Sequence, residues 1–399
     1  MKMTDKDYIE YCKLLNGTTI PSNLSTDERD KRKEPLLHWV DQHTPAKLYK
    51  FRECNENNIN AFRNQQIWFA TGAKMNDDYD AILYSDNERI LADLCVLFGK
   101  NGNLTFFKTL KEGGNPPPVL YEIFGAQFIE NTKKILADAD ETLIKQISST
   151  IKTLTEDGFK EQFPFITQSV QRVIKFSSFS EAICSPLMWG NYADNSSGFA
   201  LAYDFRNRNY NECLYCDKRG TCPVPKSNEL LPIVYRDKRV NATEYARFVM
   251  QNSFTQRLLY NLHVPAQLCG PALATITCSD LFMQTKIVNS KFKDWSYEEE
   301  WRLTINYQSP SYATDQTAYI RKKPCALYLG RKIKDTDELI LRNIAYEQHI
   351  PVYKMQIDEI ATDYELKPTR QNNTVKDLHL KQKAGSDYLP IYMKIKQKI

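Results

Sequence analysis

Lys291-Phe-Lys-Asp-Trp-Ser-Tyr-Glu-Glu-Glu-Trp-Arg-Leu-Thr-Ile305 is the stretch on which the reading of this chain turns. It crowds four carboxylates, two indoles and an arginine into a segment that continues as a strand. Side chains of a strand alternate between two faces, so Glu298, Glu300 and Arg302 are expected on one and Glu299, Trp301 and Leu303 on the other. Carboxylates and an arginine projected the same way are costly unless they are paired, solvated or used. Two readings follow. In one, Arg302 neutralises a glutamate in a purely structural strand. In the other, the carboxylate face lines a site. Two glutamates spaced in this way can hold the hydroxyls of a ribose with one carboxylate and stabilise a cationic sugar with the other. Trp295 and Trp301 could wall a ring-shaped ligand by stacking.

Working outward, Lys47-Leu-Tyr-Lys-Phe-Arg52 alternates as a strand, with Leu48, Lys50 and Arg52 on one side and Tyr49 and Phe51 on the other. Gln66–Ala70 is expected as a second strand, followed by the polar turn Thr71–Asp80. Further strands are expected at Arg172–Ser180, Ser197–Asp204, Leu230–Arg236, Ala326–Gly330 and Pro351–Ile357. Residues 86–171 read as a helical insertion, and 207–228 as a Cys-rich excursion. Thr243–Leu262 and about Leu268–Val288 read as two long helices. Asp335–His349 reads as a helix introduced by the capping sequence Asp335-Thr-Asp-Glu338. Residues 1–44 form an accessory helical segment broken near Pro21 and Pro35, 45–365 a single α+β domain, and 366–399 a basic tail. The expected fold class is α+β, a mixed or antiparallel central sheet with a large helical insertion and accessory N-terminal helices.

Composition narrows the function classes. Across 399 residues, 53 basic side chains face 49 acidic ones, a net charge of +4. That balance gives no electrostatic argument for a nucleic-acid partner. No apolar run reaches the length of a membrane span, and Met1–Tyr8 lacks the apolar core of a signal peptide, so no membrane partner is expected. Ten scattered cysteines suit a reducing cytoplasm better than a disulfide framework.

Other constellations are weaker. Arg52 presents a fork suited to phosphate or carboxylate. Met75-Asn-Asp-Asp-Tyr-Asp80 reads as a structural turn in which Asn76 and Asp77 bond nearby backbone. Ser177-Ser-Phe-Ser180 lacks a local histidine base, which argues against a serine hydrolase. Trp189 and Tyr192, three apart on a helix, line a pocket or pack in the core, and core packing suits at least one of them. Cys213 and Cys216 form the C-x2-C half-site of a structural zinc and Cys222 adds a third ligand, with Cys184, His263 or Cys278 as possible fourth ligands.

Taken in order, Leu48–Arg52, Ile67–Phe69 with Met75–Asp80, Phe176–Ser180, Met188–Ala193 with Gly198, and Lys291…Arg302 resemble the bacterial family known as domain of unknown function 2971. Where that family shows Phe-Asn-Asp-Pro, this chain has Met75-Asn-Asp-Asp78. The layout is more distantly similar to ADP-ribosyltransferase-like folds. That resemblance implies that Tyr49 or Arg52 holds NAD and that Ser178 sits near the nicotinamide ribose. It also implies that Glu300 (or Glu298) stabilises an oxocarbenium-like transition state. The candidate catalytic set is thus Glu300, Glu298 and Arg302. The candidate ligand-binding set is Tyr49, Arg52, Ser178, Trp189, Tyr192 and Trp295. The implied activity is ADP-ribosyl transfer or NAD hydrolysis in phage defence or a toxin system, with a small nucleotide as ligand. The competing expectation is a non-catalytic ligand-binding or regulatory module in which the Glu298/Glu300/Arg302 face is structural.

Overall fold

The computed structural model describes residues 3–98, 109–116, 126–140, 156–206, 226–261, 276–307 and 319–372, and positions 118, 121, 142, 270 and 273. Two capped helices open the chain, Asp5–Gly17 and Thr26–His43. Thr4 and Ser25 each accept the backbone N–H three residues on, while Asp7 and Glu28 reach back to the cap, satisfying donors that a helix end leaves open. Pro35 does not break the second helix as expected but lies inside it. The neighbouring Leu36, Trp39 and Val40 are buried, and their packing offsets the hydrogen bond that proline cannot donate.

Thirteen strands lie among the described residues: β1 (Leu48–Arg52), β2 (Gln66–Trp68), β3 (Ala70–Thr71), β4 (Lys175–Ser180), β5 (Phe199–Tyr203), β6 (Lys226–Pro232), β7 (Val234–Arg236), β8 (Ser290–Phe292), β9 (Glu300–Tyr307), β10 (Tyr319–Arg321), β11 (Ala326–Leu329), β12 (Val352–Ile357) and β13 (Leu366–Gln371). The main sheet runs β13-β12-β11-β5-β1-β4-β9-β6, with β3 also on β4. The β11–β12 pair is parallel and the other pairs of this sheet are antiparallel. The expected α+β class with a mostly antiparallel sheet is therefore observed. Two small sheets pair β10 with β2 and β7 with β8.

One face of the main sheet packs Leu48, Phe199, Trp301 and Leu303 against Tyr11, Leu15, Leu36 and Trp39 of the first two helices and Leu341 and Ile344 near the C-terminus. The Tyr11 hydroxyl donates to the Pro232 carbonyl at 2.6 Å, fixing the first helix to β6. The helices of the 86–171 region and Phe176 form a second core, and Phe51, Met188 and Trp189 belong to a third.

Several boundaries differ from expectation for identifiable reasons. The stretch 276–282 is not helical, and the helix there is Met283–Val288. Buried Asp280 organises this stretch by accepting from Ile20 N, Phe282 N and Lys286 Nζ. The helix Asp335–Glu347 has Lys334 at its N-cap with no side-chain cap bond. Glu338 is instead buried between Lys354, at 2.7 Å, and Arg342, at 3.2 Å. The sheet continues past residue 365, because β13 pairs along all of β12. Cys213, Cys216 and Cys222 lie outside the described residues, and among the described residues no cluster of three His, Cys, Asp or Glu side chains could hold a metal ion.

The functionally important irregularity is at β4. On one edge it pairs with β9 along all six residues. On its other edge it meets β3 at Lys175 and Phe176, and meets β1 at a single register pair, Tyr49 with Ser180. Strand β1 meanwhile follows β5 through five pairs. The strands therefore fork, and Ser177–Phe179 have no described strand beside them on that edge.

Candidate functional site: a polar cleft in the strand fork

The fork opens into a cleft of about 340 Å³ lined by Tyr49, Lys50, Arg52, Ser178, Tyr192, Lys291, Glu298 and Glu300, among others. Pockets of this size commonly hold small ligands.

Its acidic wall is built by β9. Strand geometry puts Glu300 and Arg302 on the face shared with Ser178 and Ser180, their register partners being Ser180 and Ser178. Glu298 reaches the same space by another route than expected. It ends a 3-10 turn over Lys293–Glu298, and Glu299 follows with φ +43° before the strand begins at Glu300. A positive φ is uncommon for a residue with a Cβ, so surrounding bonds must hold this kink. Ser180 Oγ donates to Glu298 O at 2.5 Å, Glu181 N to Glu299 O at 3.1 Å, and Glu300 N to the Tyr235 hydroxyl at 2.9 Å.

Charge on this wall is tightly compensated. Arg302 is fully buried, donates to Glu300 from Nε at 2.7 Å and takes both oxygens of Asp80 at 2.6 and 2.7 Å. It also donates to the Val288 carbonyl at 2.6 Å and lies over the Phe176 ring, 4.3 Å from its centroid. Lys291 Nζ bonds Glu298 at 2.6 Å and Glu300 at 3.4 Å. The Tyr192 hydroxyl donates to Glu298 and accepts from Asn76 Nδ2 at 2.9 Å.

The two glutamates are pushed apart in acidity. Burial raises the Glu300 carboxyl, but Arg302 and Lys291, aided by Ser178, outweigh it and bring it down to about 2. Glu298 moves the other way, raised by burial and by the Glu300 anion. Such a split assigns one permanent anion and one group able to exchange a proton.

The opposite wall is β1, whose cations have no described ion-pair partner, only the Glu300 charge acting on Lys50 from a distance. Lys50 Nζ donates to the Ser178 carbonyl at 2.9 Å and sits 4.9 Å from the Phe179 ring centroid. The ammonium thus takes a carbonyl at the bare edge of the fork. Among the described residues no carboxylate stands within ion-pair distance of Lys50 or Arg52. Burial, then the nearby Arg52 charge, drives the Lys50 amine well below the usual lysine range. Burial also lowers Arg52.

The structure brings together Tyr49, Arg52, Ser178, Tyr192, Glu298 and Glu300 in this cleft. Other expected residues stand elsewhere. Trp189 is fully buried, its indole donating to Ile183 O at 2.7 Å and packing edge-on to Phe51. Trp301 points to the opposite face and donates to Glu181 at 2.7 Å. Trp295 lies on the far side of Lys291, lining a separate cavity. Arg302 stands behind the wall and positions Glu300. Asn76 bonds a site side chain rather than backbone, while Asp77 accepts from Tyr79 N at 2.9 Å as a turn residue.

Sequence reasoning did not single out Lys50, Lys291 or Asp80 for the site. Lys50 shares the Arg52 face of β1, and Lys291 opens the stretch quoted first. Asp80 closes the acid-rich turn but meets Arg302 only through the fold, 222 residues away in sequence.

Fold and site together define an α+β protein with a polar cleft between diverging strands. A family model described as "Protein of unknown function (DUF2971)" matches residues 188–303. The match spans the motifs at Met188–Ala193 and Lys291…Arg302, and leaves outside it the three earlier ones, including β1 and Ser178. No curated protein and no solved structure matches the chain.

Proposed function

We propose that the cleft binds a phosphate-bearing nucleotide, NAD in the first instance, and promotes cleavage of its N-glycosidic bond. The observation that carries this reading is the meeting of two basic side chains without ion-pair partners with a split pair of glutamates. Lys50 and Arg52 offer the donors that a diphosphate needs, and half-buried basic groups without carboxylate partners gain most from an anionic ligand, which also favours the protonated form of the Lys50 amine. Across the cleft, Glu300 is an anion with Ser178 beside it, placed to stabilise positive charge developing on a ribose.

In this reading the bond between ribose C1′ and the nicotinamide nitrogen breaks, and its electron pair leaves with neutral nicotinamide. Glu300 stabilises the cationic sugar. Water or an acceptor nucleophile bonds to C1′ and gives its proton to Glu298, whose raised pKa suits that exchange. Arg302 holds Glu300 in place without touching the ligand. The acceptor, and a setting in phage defence or a toxin system, are further parts of the same proposal.

The test is release of nicotinamide from NAD by the purified full-length chain, with and without cell extract as a source of acceptors. Turnover that disappears in Glu300→Gln supports the reading. An unchanged NAD pool in both conditions removes it.

A second reading rests on the compensation of Glu300 itself. A carboxylate held by both Arg302 and Lys291 also suits a binding module that recognises an anion without chemistry. That reading gains if ADP-ribose binds and depends on Arg52, while NAD stays intact.

A further inference from the structure

A second cavity of about 450 Å³ adjoins the first, and Lys291 lines both. Its walls combine two features. Aromatic rings are offered to solvent: Tyr79 is 65% exposed and Phe292 45% exposed, with half-buried Trp295 between cavity and Lys291. Cations rim it: Arg236, Lys238 and Arg239. Of its two carboxylates, Asp77 is engaged by the Tyr79 N–H at 2.9 Å and Asp237 is paired with Lys293 at 2.6 Å.

Arg239 is the built part of this rim. Its guanidinium lies 5.5 Å from the Tyr79 ring centroid and 5.1 Å from that of Tyr84. The two rings hold it in place, and no described carboxylate pairs with it. Arg236 is fixed too, donating to Ser290 Oγ at 3.0 Å and Asn16 Oδ1 at 2.6 Å. A guanidinium positioned by rings rather than by an acid keeps its forked donors for an anion.

We infer that this cavity is a second ligand site, for a planar aromatic ring that carries a phosphate. The ring would stack against Trp295 and the neighbouring aromatics, and the phosphate would meet Arg239 and its cationic neighbours. A nucleoside monophosphate is the simplest molecule with both parts. The inference stands on this cavity alone and does not rest on the reading of the first cleft.

Calorimetric titration of the full chain with adenosine 5′-monophosphate tests it. Binding is expected, and adenosine (no phosphate) and inorganic phosphate (no ring) should each bind about tenfold or more weakly, because each lacks one of the two contributions. Arg239→Ala and Trp295→Ala should each weaken the monophosphate by about tenfold, while Arg331→Ala, exposed and lining neither cavity, leaves it unchanged. Arg239 is exposed, so its replacement does not threaten the fold. No binding of the monophosphate overturns the inference. So does binding that survives Arg239→Ala and Trp295→Ala, or that is lost equally in Arg331→Ala.

Discussion

The two walls of the fork cleft treat charge in opposite ways. On the β9 wall each charge has partners: Arg302 takes Asp80 and Glu300, and Lys291 takes Glu298 and Glu300. On the β1 wall Lys50 has a carbonyl and a ring, and neither it nor Arg52 has a described carboxylate partner. Partners make a buried charge part of the scaffold. A desolvated cation without them weakens the scaffold and strengthens the hold on an anion. The difference separates residues that build the site from residues that wait for a ligand.

The sharpest way to break the comparison is to remove its best-compensated charge. Arg302→Met leaves Asp80 buried without its ion-pair partner and Glu300 with Lys291 alone, which should cost about 3–5 kcal/mol of stability, read by urea unfolding. A loss under about 1 kcal/mol would mean that this wall does not depend on its ion pairs. Glu300→Gln keeps the shape and removes the anion. It should lower NAD turnover by about 10²–10³-fold while ligand binding persists, since the carboxylate acts on developing charge.

Geometry at the end of β1 offers a third test. A Cβ on Gly198 would overlap the Arg52 carbonyl oxygen and crowd Ala193. Gly198→Ala should therefore cost about 1–3 kcal/mol and weaken anion binding, because it displaces the strand end that carries Arg52. Unchanged unfolding and affinity would show that this contact does not set the position of Arg52.

Acid acts on the two glutamates in opposite senses. The folded pKa of Glu300, about 2, lies below its ordinary 4.5, so the stability it contributes is full above about 4.5 and is lost as pH falls towards 2. Glu298 is raised, so ionising it opposes folding, and its protonation on mild acidification relieves that cost. Stability measured against pH should therefore lose its steep acid limb in Glu300→Gln and keep it in Glu298→Gln. Turnover should instead rise with pH as Glu298 ionises, and this limb should vanish in Glu298→Gln.

Much of this arrangement was legible in the sequence because a period of two is local. Alternation in Leu48–Arg52 and in Glu300–Ile305 put the right residues on common faces. The kink at Glu299 was not, since its φ is held by Ser180, Glu181 and Tyr235 from other segments. Trp295 and Trp301 both suited stacking by sequence. That Trp301 is buried on the other face and Trp295 lines another cavity depends on their meeting Glu181 and Lys291 through the fold. The roles of Lys50 and Asp80 follow from the fork and from a partner far along the chain, and neither has a local pattern.

The most direct test is heat unfolding of Lys50→Met, alone and with ADP-ribose at about 100 times its wild-type dissociation constant, where a site-specific ligand stabilises by about 2.7 kcal/mol. The account predicts a midpoint at or above that of the wild type without ligand, since a half-buried basic group without an ion-pair partner has been removed. It also predicts that the wild type's ligand-induced rise is lost. A midpoint that falls as in Arg302→Met, or a ligand-induced rise equal to that of the wild type, would contradict it.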